Sequence, residues 1–205
     1  KGSTENVPLL EAEQLDLGLA TGEVTYEAVN GIGRPPAANL RIINAMYSQA
    51  GMFMVRADSA YRSISDLKGK TVVWGAGSSG FVVLARYAMD GLGLDLEQDF
   101  QAVFLEKAGD GPPLVLDGRA AAMWGGGVGW PPFMNIAKGP AGARFIAPSA
   151  EEIAWARQVV AAFAEPANAG VEVMRLSGRM VERLHERAAR RTLELATAIA
   201  AMDGE

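Results

Sequence analysis

Cysteine is absent from the 205 residues, which excludes disulfides, thiolate metal sites and cysteine nucleophiles together. Histidine occurs once, as His185, so a metal site needing two or more imidazoles is excluded as well. Positive charge is scarce. Lys and Arg number 19 against 24 Asp and Glu, leaving a net charge of −5. A nucleic-acid binder needs a clustered basic face, and nucleic acid is not an expected partner. No apolar run approaches the roughly 20 residues of a membrane-spanning helix. The opening Lys1-Gly2-Ser3-Thr4-Glu5-Asn6 has neither an initiator Met nor a signal-peptide core. A cut N-terminus is therefore expected, with any export signal removed or never present. A Gly-x-Ser-x-Gly elbow, a Walker loop and a metal-ligand cluster are also missing. Asp16, Asp66 and Asp117 lie far apart in sequence, and nothing in the sequence brings two of them together. The expectation is a protein that is not an enzyme and carries no cofactor.

What is present reads as a globular α/β chain. Hydrophobic residues make up 49% and charged residues 21%, which excludes wholesale disorder, and the length allows one large domain or two small lobes. Ser3 or Thr4 caps a helix to about Glu13, and Thr21 or Gly22 opens another that Asn30-Gly31 stops. Strands are expected at Leu15–Ala20, Leu40–Tyr47 and Gly51–Arg56. Alternation then becomes regular: strand Thr71–Trp74, helix 80–91, strand Phe100–Leu105, helix Pro112–Leu116, and strands Ala120–Trp124 and Ala143–Ala147. This order predicts parallel pairing with crossover helices. Character changes at Ala147-Pro148-Ser149. Ser149 with Glu152 forms a capping-box pattern for a helix through Trp155, Val159 and Phe163. A strand Val171–Leu176 follows, then a helix from Arg179 with Met180, Leu184, Ala188, Leu195 and Ile199 on one stripe.

The sharpest local feature is Trp74-Gly75-Ala76-Gly77-Ser78-Ser79-Gly80, a glycine-rich turn between strand and helix. Free N–H groups, the positive end of the helix dipole and two hydroxyls converge there, which favours an anion. Gly75, Gly77 and Gly80 also spell the dinucleotide fingerprint. Its acidic partner is not where it belongs, since Asp95 and Asp99 precede the next strand and Glu106 comes late. A tight turn with a plain helix cap stays open as a third reading. Ser3-Thr4-Glu5-Asn6 is a second cluster of donors at a helix start, and Tyr26 stands on the first turn of its helix. Trp124-Gly125-Gly126-Gly127-Val128-Gly129-Trp130 suits a backbone bending beside a ligand, or else a loop with one core tryptophan. Glu106-Lys107-Ala108-Gly109-Asp110 follows a strand, but charged loop residues are usually only solvated. His185 reads as a surface residue, and the arginines from Arg175 to Arg191 with Glu182, Glu186 and Glu194 as an ion-paired face.

Gly2-Ser3-Thr4-Glu5-Asn6, Leu15-Asp16-Leu17-Gly18-Leu19 and Tyr26-Glu27-Ala28 resemble the TAXI family of TRAP-transporter solute receptors. The likeness continues through Val55-Arg56-Ala57-Asp58-Ser59, Ser65-Asp66-Leu67-Lys68-Gly69-Lys70, Gly77-Ser78-Ser79-Gly80, Gly109-Asp110-Gly111-Pro112 and Asp117-Gly118. It implies a type II periplasmic-binding-protein fold, two α/β lobes closing on a small anionic solute such as an amino acid or organic acid. It also implies a periplasmic location and TRAP membrane permease subunits as partners. By this resemblance Gly77, Ser78, Ser79 and Gly80 hold the solute carboxylate. Ser3, Thr4, Glu5, Asn6 and Tyr26 line the opposite wall, and Trp124 and Gly127 belong to the second lobe's part of the cleft.

The family's opening strand and helix have no counterpart before Ser3, so the first lobe is expected to be incomplete. The tail instead is similar to the C-terminal arm of the citrate lyase beta-subunit-like family. Pro148-Ser149-Ala150-Glu151-Glu152-Ile153-Ala154-Trp155-Ala156-Arg157 and Gly178-Arg179-Met180-Val181-Glu182-Arg183 carry that likeness, although Glu182 and Leu184 replace the family's Asp and Pro. The resemblance implies an arm that packs on a neighbouring subunit, hence a homodimer. The expected divisions are 1–57 for a partial first lobe, 58–148 for a second α/β lobe and 149–205 for a helical arm. A lyase-like enzyme, or a fused or truncated product that binds nothing and stays cytoplasmic, is the alternative to a receptor.

Overall fold

The computed structural model describes residues 2–46 and 51–203. Two helices open the chain, α1 (Ser3–Glu11) and α2 (Gly22–Asn30), followed by strand β1 (Met52–Arg56). The alternating part is β2 (Thr71–Ala76), α3 (Gly80–Gly91), β3 (Gln101–Leu105), α4 (Gly111–Leu116), β4 (Ala122–Gly125), α5 (Pro131–Ala137) and β5 (Ala143–Phe145). The tail adds α6 (Ala150–Ala164), β6 (Val173–Leu176), β7 (Arg179–Glu182) and α7 (Arg183–Asp203). The class is mixed α/β, as the alternation predicts.

Five strands form one sheet in the order β3-β2-β4-β1-β5. The β2–β3 and β2–β4 pairs are parallel: α3 crosses over from β2 to β3, and α4 carries the chain from β3 across β2 to β4. Expected parallel pairing does not extend to β1, which runs antiparallel to both β4 and β5. Its hydrogen bonds set β1 between β4 and β5. The reason is burial. Met52, Phe53, Met54 and Val55 are all buried, with Phe53 facing one core cluster and Met52 and Met54 the other. A strand apolar on both faces needs a covered sheet on both sides.

One face of the sheet packs under α3 through Trp74, Trp124, Phe53 and Phe100, whose rings meet edge to face. The other face packs under α4 and α5 through Met54, Met123, Phe133 and Ile136. Helices α1 and α2 join α3 through a smaller cluster of Val7, Val24, Ala28 and Val83.

Two expected strands are not formed. Leu15–Ala20 runs as a loop, and so does Leu40–Met46, Tyr47 lying outside the described residues. Alternating apolar letters become a strand only beside a ladder partner. Here Asn6 Nδ2 donates to the Leu19 carbonyl, and the Glu11 carboxylate accepts the N–H groups of Ala38 and Asn39. Leu17, Leu19, Ile42, Ile43 and Met46 are consequently mostly exposed.

The tail differs from expectation at Arg179. Ser177 and Gly178 both have positive φ, 49° and 81°, a two-residue hairpin turn that pairs β6 with β7 and delays the helix to Arg183. Met180 therefore lies off the helical stripe, while Leu195 and Ile199 do reach the sheet's second face. The Ser149–Glu152 capping box is complete. His185 Nδ1 accepts the Glu182 N–H at 3.0 Å, so its ring caps the start of α7. Glu186, 8% exposed, accepts from Arg183 Nη1 and Arg190 Nη2, both at 2.7 Å. Hydrogen bonds from these two guanidiniums hold its carboxyl below the ordinary glutamate range, against the opposing effect of burial.

Two outcomes are expected. Phe133→Ala, at a fully buried position, lowers unfolding free energy by about 3–5 kcal/mol in a urea titration, with the slope unchanged. Glu186 has a depressed folded-state pKa, so its contribution is complete above the unfolded glutamate range and is lost as pH falls through the lower folded value. Glu186→Gln should therefore melt below the parent at neutral pH, and the gap should close in acid.

Candidate functional site

The site is built where β2 hands over to α3. Register between β2 and β3 shifts between Val73 and Gly75, where Gly75 takes φ 102°, a bulge shortly before the strand ends at Ala76. Ser79 then caps α3, its Oγ accepting the Phe81 N–H at 3.2 Å. Two amides of the turn are already used: Gly77 N–H reaches the Leu105 carbonyl at 3.1 Å and Ser79 N–H the Ala76 carbonyl at 2.8 Å. The N–H groups of Ser78 and Gly80 make no hydrogen bond among the described residues. The cradle read from sequence is thus half occupied by the protein's own carbonyls.

Two further helix starts abut this one. Thr4 donates to the Ser78 carbonyl twice, from Oγ1 at 2.7 Å and from its N–H at 3.3 Å. Ser3 Oγ accepts the Thr21 N–H at 3.1 Å, tying the first residue of α1 to the residue before α2. The packing is so close that a Cβ on Gly80 would stand 2.2 Å from Thr21 Oγ1 and 2.9 Å from Ser3 Oγ. A Cβ on Gly2 would stand 2.1 Å from the Ser78 carbonyl oxygen. Thr21 Oγ1 is itself buried with no hydrogen-bond partner, a state that typically costs about 1–3 kcal/mol. Glu5 lies in the first turn of α1 and Glu23 in that of α2, whereas α3 has no acidic residue there.

The remaining candidates sort as follows. Ser3, Thr4, Ser78, Ser79 and Gly80 come together around one point. Gly77 sits beside it, held by β3. Glu5 is exposed, and Asn6 has its amide on the Leu19 carbonyl rather than on the turn. Tyr26 is half exposed and lies with Glu23 and Glu27 around Tyr87. Burial first, then Glu27 and Tyr26, push the Tyr87 hydroxyl up to about 12. Glu106 and Lys107 follow the Leu105 carbonyl that holds Gly77, and both are exposed.

Trp124 lies in the core. It is 3% exposed, packs at 4.9 Å on Phe53, and gives its indole N–H to the Phe81 carbonyl at 2.8 Å. Gly127 lies beyond β4 with φ 108°, near Met52. The glycines before it have a packing reason, since a Cβ on Gly125 would sit 2.1 Å from the Trp130 ring. Trp130 is also the aromatic that meets Phe81 of the first turn of α3, at 5.8 Å. Thr21 is the residue near the junction that the sequence reading leaves out of the site, whereas Trp130 lies in the stretch read as bending beside a ligand without being singled out. Thr21 carries a usable signal as a helix opener, whereas nothing in the letters ranks Trp130 above Trp124.

Two surface cavities lie elsewhere. One of about 470 Å³ is lined by Arg86, Asp90, Asp95 and Gln98, and one of about 370 Å³ by Met54, Phe133, Met134 and Phe145. Among the described residues no group of three His, Asp or Glu is placed to hold a metal ion, and no helix is long and apolar enough to cross a membrane.

The glycine contacts generate a paired test. Gly80→Ala forces Thr21 and Ser3 apart and should lower the melting temperature measurably. Gly77→Ala, with nothing within 4 Å of the new Cβ and an ordinary φ, should leave it unchanged or slightly raised.

Among solved structures the chain is similar to the periplasmic sulfonate-binding protein SsuA from Methylobacillus flagellatus KT, at 16% identity and TM-score 0.39. That match covers 58% of this chain and 42% of the other. The periplasmic aliphatic sulphonate binding protein SsuA from Escherichia coli is 19% identical with TM-score 0.48, covering 98% and 69%. An ABC transporter periplasmic binding protein from Brucella ovis, with glutathione bound, is 14% identical with TM-score 0.48, covering 71% and 43%. The chain thus spans less than half the length of the first and third. A family match extends over residues 1–169, past the seam expected at 148 and through α6 to the turn after it. By that match the chain belongs to the NMT1-like family.

Proposed function

We propose that the chain is a solute-binding receptor that presents a small anionic solute to a membrane transporter and performs no reaction on it. One observation carries this reading: the starts of α1, α2 and α3 meet within hydrogen-bond distance at Ser3, Thr21 and Ser78. Each start bears roughly half a positive charge from its aligned peptide dipoles. Three such ends at one place favour a negative guest, and the N–H groups of Ser78 and Gly80 with the Thr21 hydroxyl are the donors left to grip it. Ser3, Thr4 and Ser79 then hold the walls in register rather than contributing free donors. Gly80 and Thr21 Oγ1 lie inside the junction, so a solute enters when α1 and α2 swing away from α3 and is enclosed when they return.

The finer reading, an amino acid or organic acid held by its carboxylate and handed to TRAP permease subunits in the periplasm, rests on the resemblance of the Ser-Thr-Glu-Asn and Gly-Ser-Ser-Gly segments to TAXI receptors. Amide donors by themselves do not separate a carboxylate from a sulfonate, because both present negatively charged oxygens that accept from N–H groups, although one is planar and the other tetrahedral.

Thermal-shift titrations with amino acids, dicarboxylates and alkanesulfonates test the proposal. A true solute adds about 2.7 kcal/mol at one hundred times its dissociation constant, which reads as a concentration-dependent rise in melting temperature. Ser78→Asp, which brings a negative charge to the cradle, should abolish the rise. A flat response to every anion rejects the receptor reading, and a response to sulfonates alone rejects the carboxylate.

A further inference from the structure

The β6–β7 hairpin has two faces of opposite character. Met174, Leu176 and Val181 point inward to a cluster with Val159 and Phe163 of α6, and Arg179 lies 5.1 Å over the Trp155 ring. The outer face carries four exposed side chains. Val173 is paired with Glu182 across the strands and Arg175 with Met180. This puts the two apolar residues on one diagonal of a square and the two charges on the other. Val173 is 50% and Met180 69% exposed, and they are the two apolar side chains of this outer face. Arg175 and Glu182 are exposed and form no ion pair among the described residues, although Arg183, Arg190 and Arg191 nearby all do.

We infer that this outer face is a contact between two copies of the chain, which meet face to face across a two-fold axis lying along the Val173–Met180 diagonal. The symmetry argument selects a second copy as the occupant. A two-fold axis in the plane of the face returns points on the axis to themselves and exchanges points on either side of it. Val173 then meets Val173 of the second copy, Met180 meets Met180, and each Arg175 meets the opposite Glu182. All four side chains find partners with no like charges opposed, and the patch is neutral in sum. Both strands pack on the cluster that α6 and α7 form with Val159, Phe163 and Ala189, so little ordering is lost on contact. With only four residues per copy at its centre, the contact is small, weak and salt-sensitive.

Sedimentation equilibrium from about 10 μM to about 1 mM at low salt is the measurement, in the range where small interfaces associate. The parent chain should dimerise reversibly. Arg175→Glu and Glu182→Arg should each weaken association by roughly tenfold or more, since each opposes like charges twice. The two variants mixed in equal amounts should associate again, because every Glu of one then faces an Arg of the other, and the double exchange R175E/E182R should behave as the parent. Unchanged melting temperatures certify that the variants fold, and concentration-dependent amide shifts confined to residues 173–182 of the parent provide a readout that needs no variant. A parent that stays monomeric, single variants that associate as the parent does, or a mixture that fails to recover would each overturn the inference.

Discussion

Three helix starts crowded around the Ser78 carbonyl are the constraint on which the front of the molecule depends. Aligned peptide dipoles make each start positive, so bringing three together costs energy unless something negative lies among them. The protein supplies part of that with the Ser78 carbonyl, which takes both donors of Thr4, and with Ser3 Oγ, which takes the Thr21 amide. Glycine at positions 2 and 80 is what permits the approach, since a Cβ at either would collide with the opposite helix start. The compensation stops short: among the described residues, two amides of the turn and the Thr21 hydroxyl are left without partners.

Behind this junction the sheet is a rigid support. Its central strands carry Trp74, Trp124 and Phe53 on one side and Met123, Met54 and Phe133 on the other, so the turn after β2 projects from a scaffold packed on both faces. By contrast, α1 and α2 reach α3 through four buried residues and a few polar contacts. That imbalance is what the proposed opening draws on, because a body held by a small cluster separates more readily than one held by a core.

The middle of the chain was legible in the letters. Helix 80–91 is found at those residues, the β2, β3 and β4 strands fall within two residues of expectation, and the Gly31 stop and Ser149–Glu152 box are as read. In these segments local propensity, capping and burial all point the same way. The failures share a cause of another kind. Leu15–Ala20 and Leu40–Met46 alternate like strands but have no ladder beside them, and a ladder is a property of the neighbour. Ser177-Gly178 was a hairpin signal overridden by the helical stripe that follows it. Trp124 and Trp130 are interchangeable in sequence, yet one is a core residue and the other lies over the glycines at the end of β4.

The sequence by itself determined the chemistry available: no thiol, one imidazole, a hydroxyl- and glycine-rich turn at a helix start, and capping serines before α3 and α6. Those are properties of single residues and of spacings within one element, which the chain carries wherever it goes. Tertiary structure alone decided that β1 runs antiparallel inside the sheet, that Thr4 and Ser78, 74 positions apart, share a hydrogen bond, and that Gly80 lies against Thr21. Such facts depend on which surfaces are buried against each other, and that balance is struck over the whole fold rather than within any one of its segments.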